Sequence, residues 1–96
     1  MRFEWDEHKN QRNKIKHKLS FETARLVFDD PLHISVQDRV EDGEERWQTI
    51  GMIAGLLVAV VAHTVVGEVD DDMTIRIISA RKADKSERIR YEEGTH

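Results

Sequence analysis

The feature that most restricts the fold of this 96-residue chain is a nearly uncharged stretch from Ile50 to Gly67. A membrane-spanning helix needs about 20 unbroken apolar residues. Two glycines interrupt this stretch, β-branched residues dominate it, and a His-Thr pair lies in its second half. Such runs are typical of buried strands. The sequence therefore predicts two buried strands joined by a tight turn at Ile53-Ala54-Gly55, and no membrane span.

Length and composition limit the organisation of the chain. Ninety-six residues supply apolar surface for one core, so we expect a single domain over residues 1–96. Apolar residues make up 39% of the chain and charged residues 35%, which still allows a packed interior. There is no cysteine, which excludes disulfides and thiolate metal sites. The N-terminus is charged and has no apolar signal core, so the expected location is the cytoplasm.

The net charge of −4 argues weakly against nucleic acid as a partner, but the charges are segregated along the chain. Five lysines and arginines and no acid lie between His8 and Lys18, whereas seven acids and one arginine lie between Asp29 and Glu45. The C-terminal third is again rich in cations. We therefore expect positive side chains from both ends to meet in one anion-binding pocket. Solvated loops and helix faces are the alternative interpretation.

The sequence predicts three helices, each after a residue that commonly caps helix N-termini (Asp6, Ser20, Asp84). Their approximate bounds are Glu7–His17, Phe21–Phe28 and Lys85–Glu93. Pro31 ends the second helix, because proline cannot continue a helix and disfavours helical geometry in the residue before it.

Strand patterns occupy the rest of the chain. Alternating or continuous apolar residues predict four strands, at Leu32–Val36, Arg46–Met52, Leu56–Thr64 and Met73–Ala80. Phe3-Glu4-Trp5 is either a short edge strand or an apolar anchor. The expected fold class is α+β, with two N-terminal helices, a four-stranded antiparallel sheet and one C-terminal helix.

A series of short motifs runs along nearly the whole chain. They are Phe3-Glu4-Trp5-Asp6, Asn13-x-x-Lys16-His17, Leu19-Ser20-Phe21-Glu22-x-Ala24, Val27-Phe28-x-Asp30-Pro31, Gly43-Glu44-Glu45-Arg46, Ile50-Gly51, His63-Thr64, Arg76-Ile77-Ile78-Ser79-Ala80-Arg81-Lys82-Ala83 and Arg90-Tyr91-Glu92. Each is weak alone, but the long C-terminal motif paired with the motifs near the start is specific. In these residues the chain resembles the BrnT family of type II toxins.

The resemblance implies a compact RelE-like fold and RNA cleavage that halts translation. It also implies a BrnA-like antitoxin with a ribbon-helix-helix domain, joined to the toxin in a 2:2 assembly. Such a complex represses its own operon, so operator DNA would be contacted only through the antitoxin. The chain departs from the family pattern at Lys18, where glycine is usual. It also departs at Val65–Asp72, an acidic segment where relatives often have a short basic hairpin.

Cleaving RNA without a metal ion requires a base for the 2′-hydroxyl, a cation for the phosphoryl oxygens and an acid for the leaving 5′-oxygen. Histidine titrates near neutral pH, and arginine binds phosphate through two donors. The catalytic candidates are His17, Arg46, His63 and Arg81. Structural alternatives stay open: His17 as the cation at a helix C-terminus, His63 as a hydrogen-bonded core residue, and the arginines in ion pairs with nearby acids.

Further cations are candidates for binding the RNA phosphates: Lys14, Lys16, Arg76, Lys82, Lys85 and Arg88. Alternation along a strand predicts that Arg76 and Arg81 leave opposite faces of the sheet, and Arg76 has the alternative of pairing with an acid across it. Tyr91 either stacks on a base or packs onto the sheet. No cofactor or metal is expected, because the consecutive carboxylates of Asp70-Asp71-Asp72 point in different directions.

Three functions remain open from the sequence. The first is a ribonuclease toxin. The second is a non-enzymatic module that binds its partner and helps to repress a promoter. The third is a generic RNA-binding domain, which the lack of interleaved aromatic and basic residues disfavours.

Overall fold

A computed structural model describes residues 1–67 and 73–94 of the chain. Its strands are β1 (Arg2–Glu4), β2 (Ile34–Glu41), β3 (Glu44–Ile53), β4 (Leu57–Val66) and β5 (Thr74–Lys82). Its helices are α1 (Glu7–His17), α2 (Phe21–Ala24), which continues as a 3₁₀ segment over Arg25–Asp29, and α3 (Lys85–Gly94). The α+β class expected from the sequence is confirmed.

The sheet differs from the expected one in a single strand. Five strands follow the order β1-β5-β4-β3-β2, and β1 runs parallel to β5 whereas the other pairs are antiparallel. The sheet is therefore mixed and five-stranded, and the prediction of four antiparallel strands is wrong. The extra strand has only three residues, too few for an alternating pattern to identify it. Strand β1 is held in place by parallel pairing with β5 and by a ring contact of Phe3 with Phe28 at 5.4 Å.

The uncharged stretch forms the β3–β4 hairpin, as expected. Ala54 and Gly55 both take positive φ at its turn. None of the helices in the described ranges has the length and apolar character needed to cross a membrane. Lys18, which stands where the family usually has glycine, adopts the left-handed conformation with φ 58°, so the turn after α1 accommodates its side chain.

The two faces of the sheet are covered differently. The helical face packs on α1, α2 and the 3₁₀ segment, and its core includes Phe21, Val27, Val61 and Ile77. The opposite face, here called the open face, carries α3 at one end, where Tyr91 packs with Ile50, Val60 and Ala83. In the described part of the chain, the rest of the open face carries the charged side chains considered below.

The predicted second helix is too long, because its last turn tightens into the 3₁₀ segment. This segment brings Val27 against β3 at Gly51. A Cβ on Gly51 would lie 2.8 Å from the carbonyl oxygen of Val27 and 3.0 Å from its Cβ. Only glycine allows the two segments to approach so closely.

Gly51→Ala is therefore expected to lower the free energy of unfolding by about 1–3 kcal/mol, because neither backbone can move away without disturbing the core. Urea denaturation measures the change. Gly94→Ala is the control, since its Cβ would lie at an ordinary 3.5 Å from the side chain of Ile34. Equal losses in the two variants would contradict the close-approach argument.

Candidate nucleic-acid interface

An irregularity in β5 decides which face its arginines occupy. Arg81 pairs with Val60 of β4 and Arg76 pairs with Thr64, and the register shifts between Ala62 and His63. Because Val60 and Thr64 lie an even number of residues apart on β4, their side chains share one face. Cross-strand partners share a face as well, so Arg76 and Arg81 both lie on the open face. The prediction of opposite faces is wrong, since a bulge inserts a residue between them.

Equivalent positions of all five strands form one row across the open face. Arg39 pairs with Arg46, and Thr64 pairs with Arg76, which in turn pairs with Glu4. Arg46 and Thr64 adjoin the Trp47–His63 pair, which places them opposite each other. We call this set, Arg39, Arg46, Thr64, Arg76 and Glu4, the arginine row. Arg81 lies about 13 Å further along the same face, by the rise of a β-strand.

The arginines of the row differ in how closely carboxylates neutralise them. Arg39 lies 3.1 Å from Glu41, and Arg76 lies 3.3 Å from Glu4 and 3.9 Å from Glu44. Arg46 is only 23% exposed, its Nε is buried without a hydrogen-bond partner, and its ion pair with Glu41 is 3.9 Å long. Of the arginines in the row, Arg46 is the least satisfied among the described residues. It therefore has the most to gain from an added anion.

Arg81 makes the shortest ion pair of the described region. Its guanidinium donates to both carboxylate oxygens of Glu87, at 2.7 and 2.9 Å. This pair is the main cause that lowers the pKa of Glu87, and Glu87 in turn raises the pKa of Arg81. Glu87 also accepts a hydrogen bond from the Asp84 amide in the capping box of α3. Arg81 therefore makes the ion pair expected under the structural alternative, and this pair holds α3 against the sheet.

Tyr91 belongs to the core. Its ring is 6% exposed, and its hydroxyl donates to Oδ2 of Asp30 at 2.5 Å. Burial first, and then Asp30, raise its pKa to about 12. Of the two expectations for Tyr91, the structure shows packing onto the sheet, and the buried ring leaves no face for stacking on a base.

The cations of α1 lie at the free edge of β5. The amide of Asn13 donates to the Ala80 carbonyl at 2.8 Å and accepts from the Ala80 N–H at 3.1 Å. This pairing holds α1 beside the end of β5, where Arg81 and Lys82 follow. The candidates Lys14, Lys16 and His17 are carried by the last turns of this helix.

The remaining phosphate-binding candidates lie around the end of β5. Lys82 is exposed and ends the strand, and Lys85 is exposed in the first turn of α3. Arg88 donates to the Ala83 carbonyl at 3.0 Å, so part of its donor set is used within α3.

His63 points to the helical face and so lies on the other side of the sheet from the arginine row. It is 3% exposed, its Nε2 lies 2.7 Å from the hydroxyl of Thr49, and that hydroxyl lies 2.7 Å from Oγ of Ser35. Its ring packs edge-on against Phe28 at 5.1 Å. A catalytic centre that combines His63 with Arg46 and Arg81 is excluded by the intervening sheet. The structure supports the alternative of a hydrogen-bonded core histidine.

Burial lowers the pKa of His63 from 6.5 to about 4, although the Thr64 backbone partly favours the charged form. The unfolded chain binds this proton near pH 6.5, whereas the folded chain resists it until about pH 4. Stability contributed by neutral His63 is therefore present above pH 6.5 and is lost as the pH falls.

Between pH 7 and pH 5 we expect this group alone to remove about 2 kcal/mol from the free energy of unfolding. In His63→Gln the loss over the same interval should be correspondingly smaller. Urea unfolding at several pH values measures it. At pH 8 the imidazole is neutral in both the folded and the unfolded state. The difference in free energy of unfolding between the wild type and His63→Gln at this pH therefore gives the cost of the substitution itself. Identical slopes would show that folding does not lower the pKa of His63.

The expected single anion-binding pocket is not formed. Three pockets are formed by the described residues, and none of them is lined by Lys14, His17, Arg46 or Arg81. The prediction failed because Lys14 and His17 lie on α1, which packs on the helical face, whereas Arg46 and Arg81 project from the open face. The carboxylates of Glu4, Glu41 and Glu44 among the arginines were also missed. Strand alternation combined with the register would have found them.

No cluster of three or more metal-binding side chains occurs within residues 1–67 and 73–94. The Asp70-Asp71-Asp72 run and the end of the acidic segment lie outside the described residues.

Comparison with known proteins identifies the family. The sequence model of the ribonuclease toxin BrnT of type II toxin–antitoxin systems matches residues 5–87. The chain belongs to the BrnT family. The resemblance inferred from the motifs is thereby confirmed, and Arg46, Arg76 and Arg81 lie within the matched region.

One solved BrnT structure supports the assignment. The crystal structure of the Brucella abortus ribonuclease toxin BrnT superimposes with a TM-score of 0.65 and is 30% identical in sequence. The match covers 88% of this chain and 99% of the Brucella chain. Comparison with curated proteins gave no significant match. Membership of a type II BrnT toxin family implies a cognate antitoxin as partner.

Proposed function

We propose that this BrnT protein cleaves RNA on the open face of its sheet without a metal ion, and thereby inhibits translation. The observation that carries the proposal is the bulge in β5, which brings Arg76 and Arg81 onto the same face as Arg46. An RNA strand along this face would meet positive side chains over about 13 Å, by the strand rise. The proposal leaves His63 in a structural role.

Arg46 is the proposed stabiliser of the transition state. Charge develops on the phosphoryl oxygens as the 2′-oxygen attacks, and donors already held in place lower the barrier most. Arg46 fits this task because it is mostly buried and its Nε has no hydrogen-bond partner. Arg76 would bind a neighbouring phosphate after exchanging its ion pair with Glu44, which is already long at 3.9 Å.

Proton transfer requires a titratable group near Arg46. Glu44 is the proposed base, because it lies on the same strand and face, two positions from Arg46, and next to Arg76. A carboxylate at this position accepts the 2′-hydroxyl proton, and the leaving 5′-oxygen takes up a proton from water. His17, at the end of α1, lies about 13 Å from the arginine row, so we propose that it binds the RNA backbone near Arg81. Its place beside the end of β5 follows from the Asn13–Ala80 pairing.

The remaining cations would bind the RNA backbone without reading sequence. They comprise Lys14, Lys16, Lys82, Lys85 and Arg88. Contacts of this kind release counterions, so affinity for RNA should fall steeply with salt.

The proposed partner is a BrnA-like ribbon-helix-helix antitoxin in a 2:2 assembly. Operator DNA would be bound through the antitoxin alone. The proposed location is the cytoplasm, where the RNA substrates are.

The test is cleavage of a defined RNA by the purified protein in the presence of a chelator, together with growth after induction without an antitoxin. Attack by the 2′-oxygen predicts products with 2′,3′-cyclic phosphate ends, which mass spectrometry detects. Intact RNA together with unimpaired growth would refute the proposal. Cleavage that stops in the chelator would refute its metal-independent part.

A second function is favoured by one observation: each arginine of the row has a carboxylate within 3.9 Å. Such pairing suits a protein that binds its antitoxin and represses a promoter without cutting RNA. Tight antitoxin binding with no cleavage, and no effect of Glu44→Gln on toxicity, would select this function.

A further inference from the structure

The helical face holds a pocket of about 730 Å³ at the end of the sheet away from α3. Its walls are mainly apolar and include Phe28, Trp47, Met73 and Ile75, with His63 in the wall. Burial lowers the pKa of His63 to about 4, so the imidazole adds no charge to the pocket near neutral pH. The volume lies in the range of pockets that enclose drug-sized ligands or a few apolar side chains.

The mouth of the pocket is acidic. Glu45, which shares the face of Trp47 on β3, lines it and belongs to the tip of the β2–β3 hairpin, whose residues 41–45 are four acids and a glycine. All four acids are exposed. Arg46, the next residue, leaves β3 toward the other face. A negative mouth repels phosphate groups, so a nucleic acid is disfavoured at this site.

An apolar pocket with an acidic mouth is complementary to a basic peptide that carries large apolar side chains. Aromatic residues in pockets of this kind supply much of the energy of protein recognition, and opposite charges at the rim guide the encounter.

We infer that this pocket binds a basic segment of a protein partner, with apolar side chains inserted beside Trp47 and with lysines or arginines facing Glu45. Resting on the proposed function, the partner is the antitoxin. Trp47 and Arg46 are adjacent on β3 but leave opposite faces, so the sheet separates a segment in this pocket from the arginine row.

Trp47 allows a direct test, because it is one of two tryptophans in the chain. In a Trp5→Phe background its emission reports on the pocket alone. The probe is a synthetic peptide with two adjacent leucines flanked by lysines on both sides. Two matched peptides replace either the leucines by alanines or the lysines by glutamates.

The leucine–lysine peptide is expected to shift Trp47 emission to shorter wavelength and to bind roughly tenfold more tightly than either matched peptide. Glu45→Lys should weaken its binding roughly fivefold, and high salt should reduce this difference. Asp38→Lys is the matched control, because it makes the same charge change at a residue outside this pocket. It should leave the affinity unchanged.

Equal affinity for the three peptides would overturn the inference. A larger shift with single-stranded oligouridine would assign the pocket to RNA, and a shift that depends on protein concentration alone would assign it to a second copy. RNA cleavage by the same samples is measured separately. Peptide binding without cleavage would support the inference and refute the proposed nuclease, whereas cleavage without selective peptide binding would do the reverse.

Discussion

Replacing Arg46 with alanine is expected to reduce the rate of RNA cleavage by roughly 10²–10³-fold. Removing one preorganised donor from a site of developing negative charge typically has an effect of this size. Arg46 is the arginine of the row whose donors are least used by the described residues: its Nε has no hydrogen-bond partner and its pair with Glu41 is 3.9 Å long. The measurement is single-turnover cleavage of a defined RNA in chelator, with the melting curve of each variant as a test of folding.

Arg39→Ala is the matched control for Arg46→Ala. Arg39 pairs with Arg46 across β2 and β3, but its side chain is 65% exposed and hydrogen-bonded to Glu41. Its removal should change the rate by less than about threefold, as expected for an exposed charge. Arg46→Lys should recover only part of the activity, because lysine lacks the two-pronged donor geometry. Equal losses in Arg39→Ala and Arg46→Ala would show that only the net charge of the face matters.

Replacing Asn13 with alanine is expected to lower the free energy of unfolding by about 3 kcal/mol. The Asn13 amide donates to the carbonyls of Leu19 and Ala80 and accepts from the Ala80 N–H, all within a buried site. Without it, these backbone groups stay buried and unpaired, and each such group costs about 1–3 kcal/mol. The melting temperature should fall by roughly 12–24 °C, since a domain of this size loses about 4–8 °C per kcal/mol.

Gln11→Ala is the control on the same helix. Its side chain is exposed and donates to Glu7, so its loss should cost less than about 0.5 kcal/mol. If Asn13→Ala and Gln11→Ala have the same melting temperature, the pairing of α1 with the free edge of β5 contributes little to stability. The proposed placement of His17 would then lose its support.

The local patterns were sufficient for much of the fold. The hairpin between β3 and β4 follows from an apolar run broken by two glycines, and the helix caps at Asp6, Ser20 and Asp84 mark real helix starts. These features depend on neighbouring residues alone. The BrnT family could likewise be inferred from motifs read in order. A short edge strand at Phe3-Glu4-Trp5 was one of two options, but its parallel pairing with β5 was not predicted, because it joins residues far apart in the chain.

The candidate site shows more clearly the contrast between what local sequence patterns predict and what tertiary pairing decides. Its residue types were evident from the sequence, since arginine and histidine suit phosphate chemistry. Their grouping was not, because one bulge in β5 moves Arg81 to the face of Arg76, and the sheet separates His63 from both. A strand register is set by hydrogen bonds between distant segments, and a shift of one residue exchanges the two faces. The sequence thus determined the secondary structure, the family and the chemistry available, whereas only tertiary pairing decided which of those side chains share a surface.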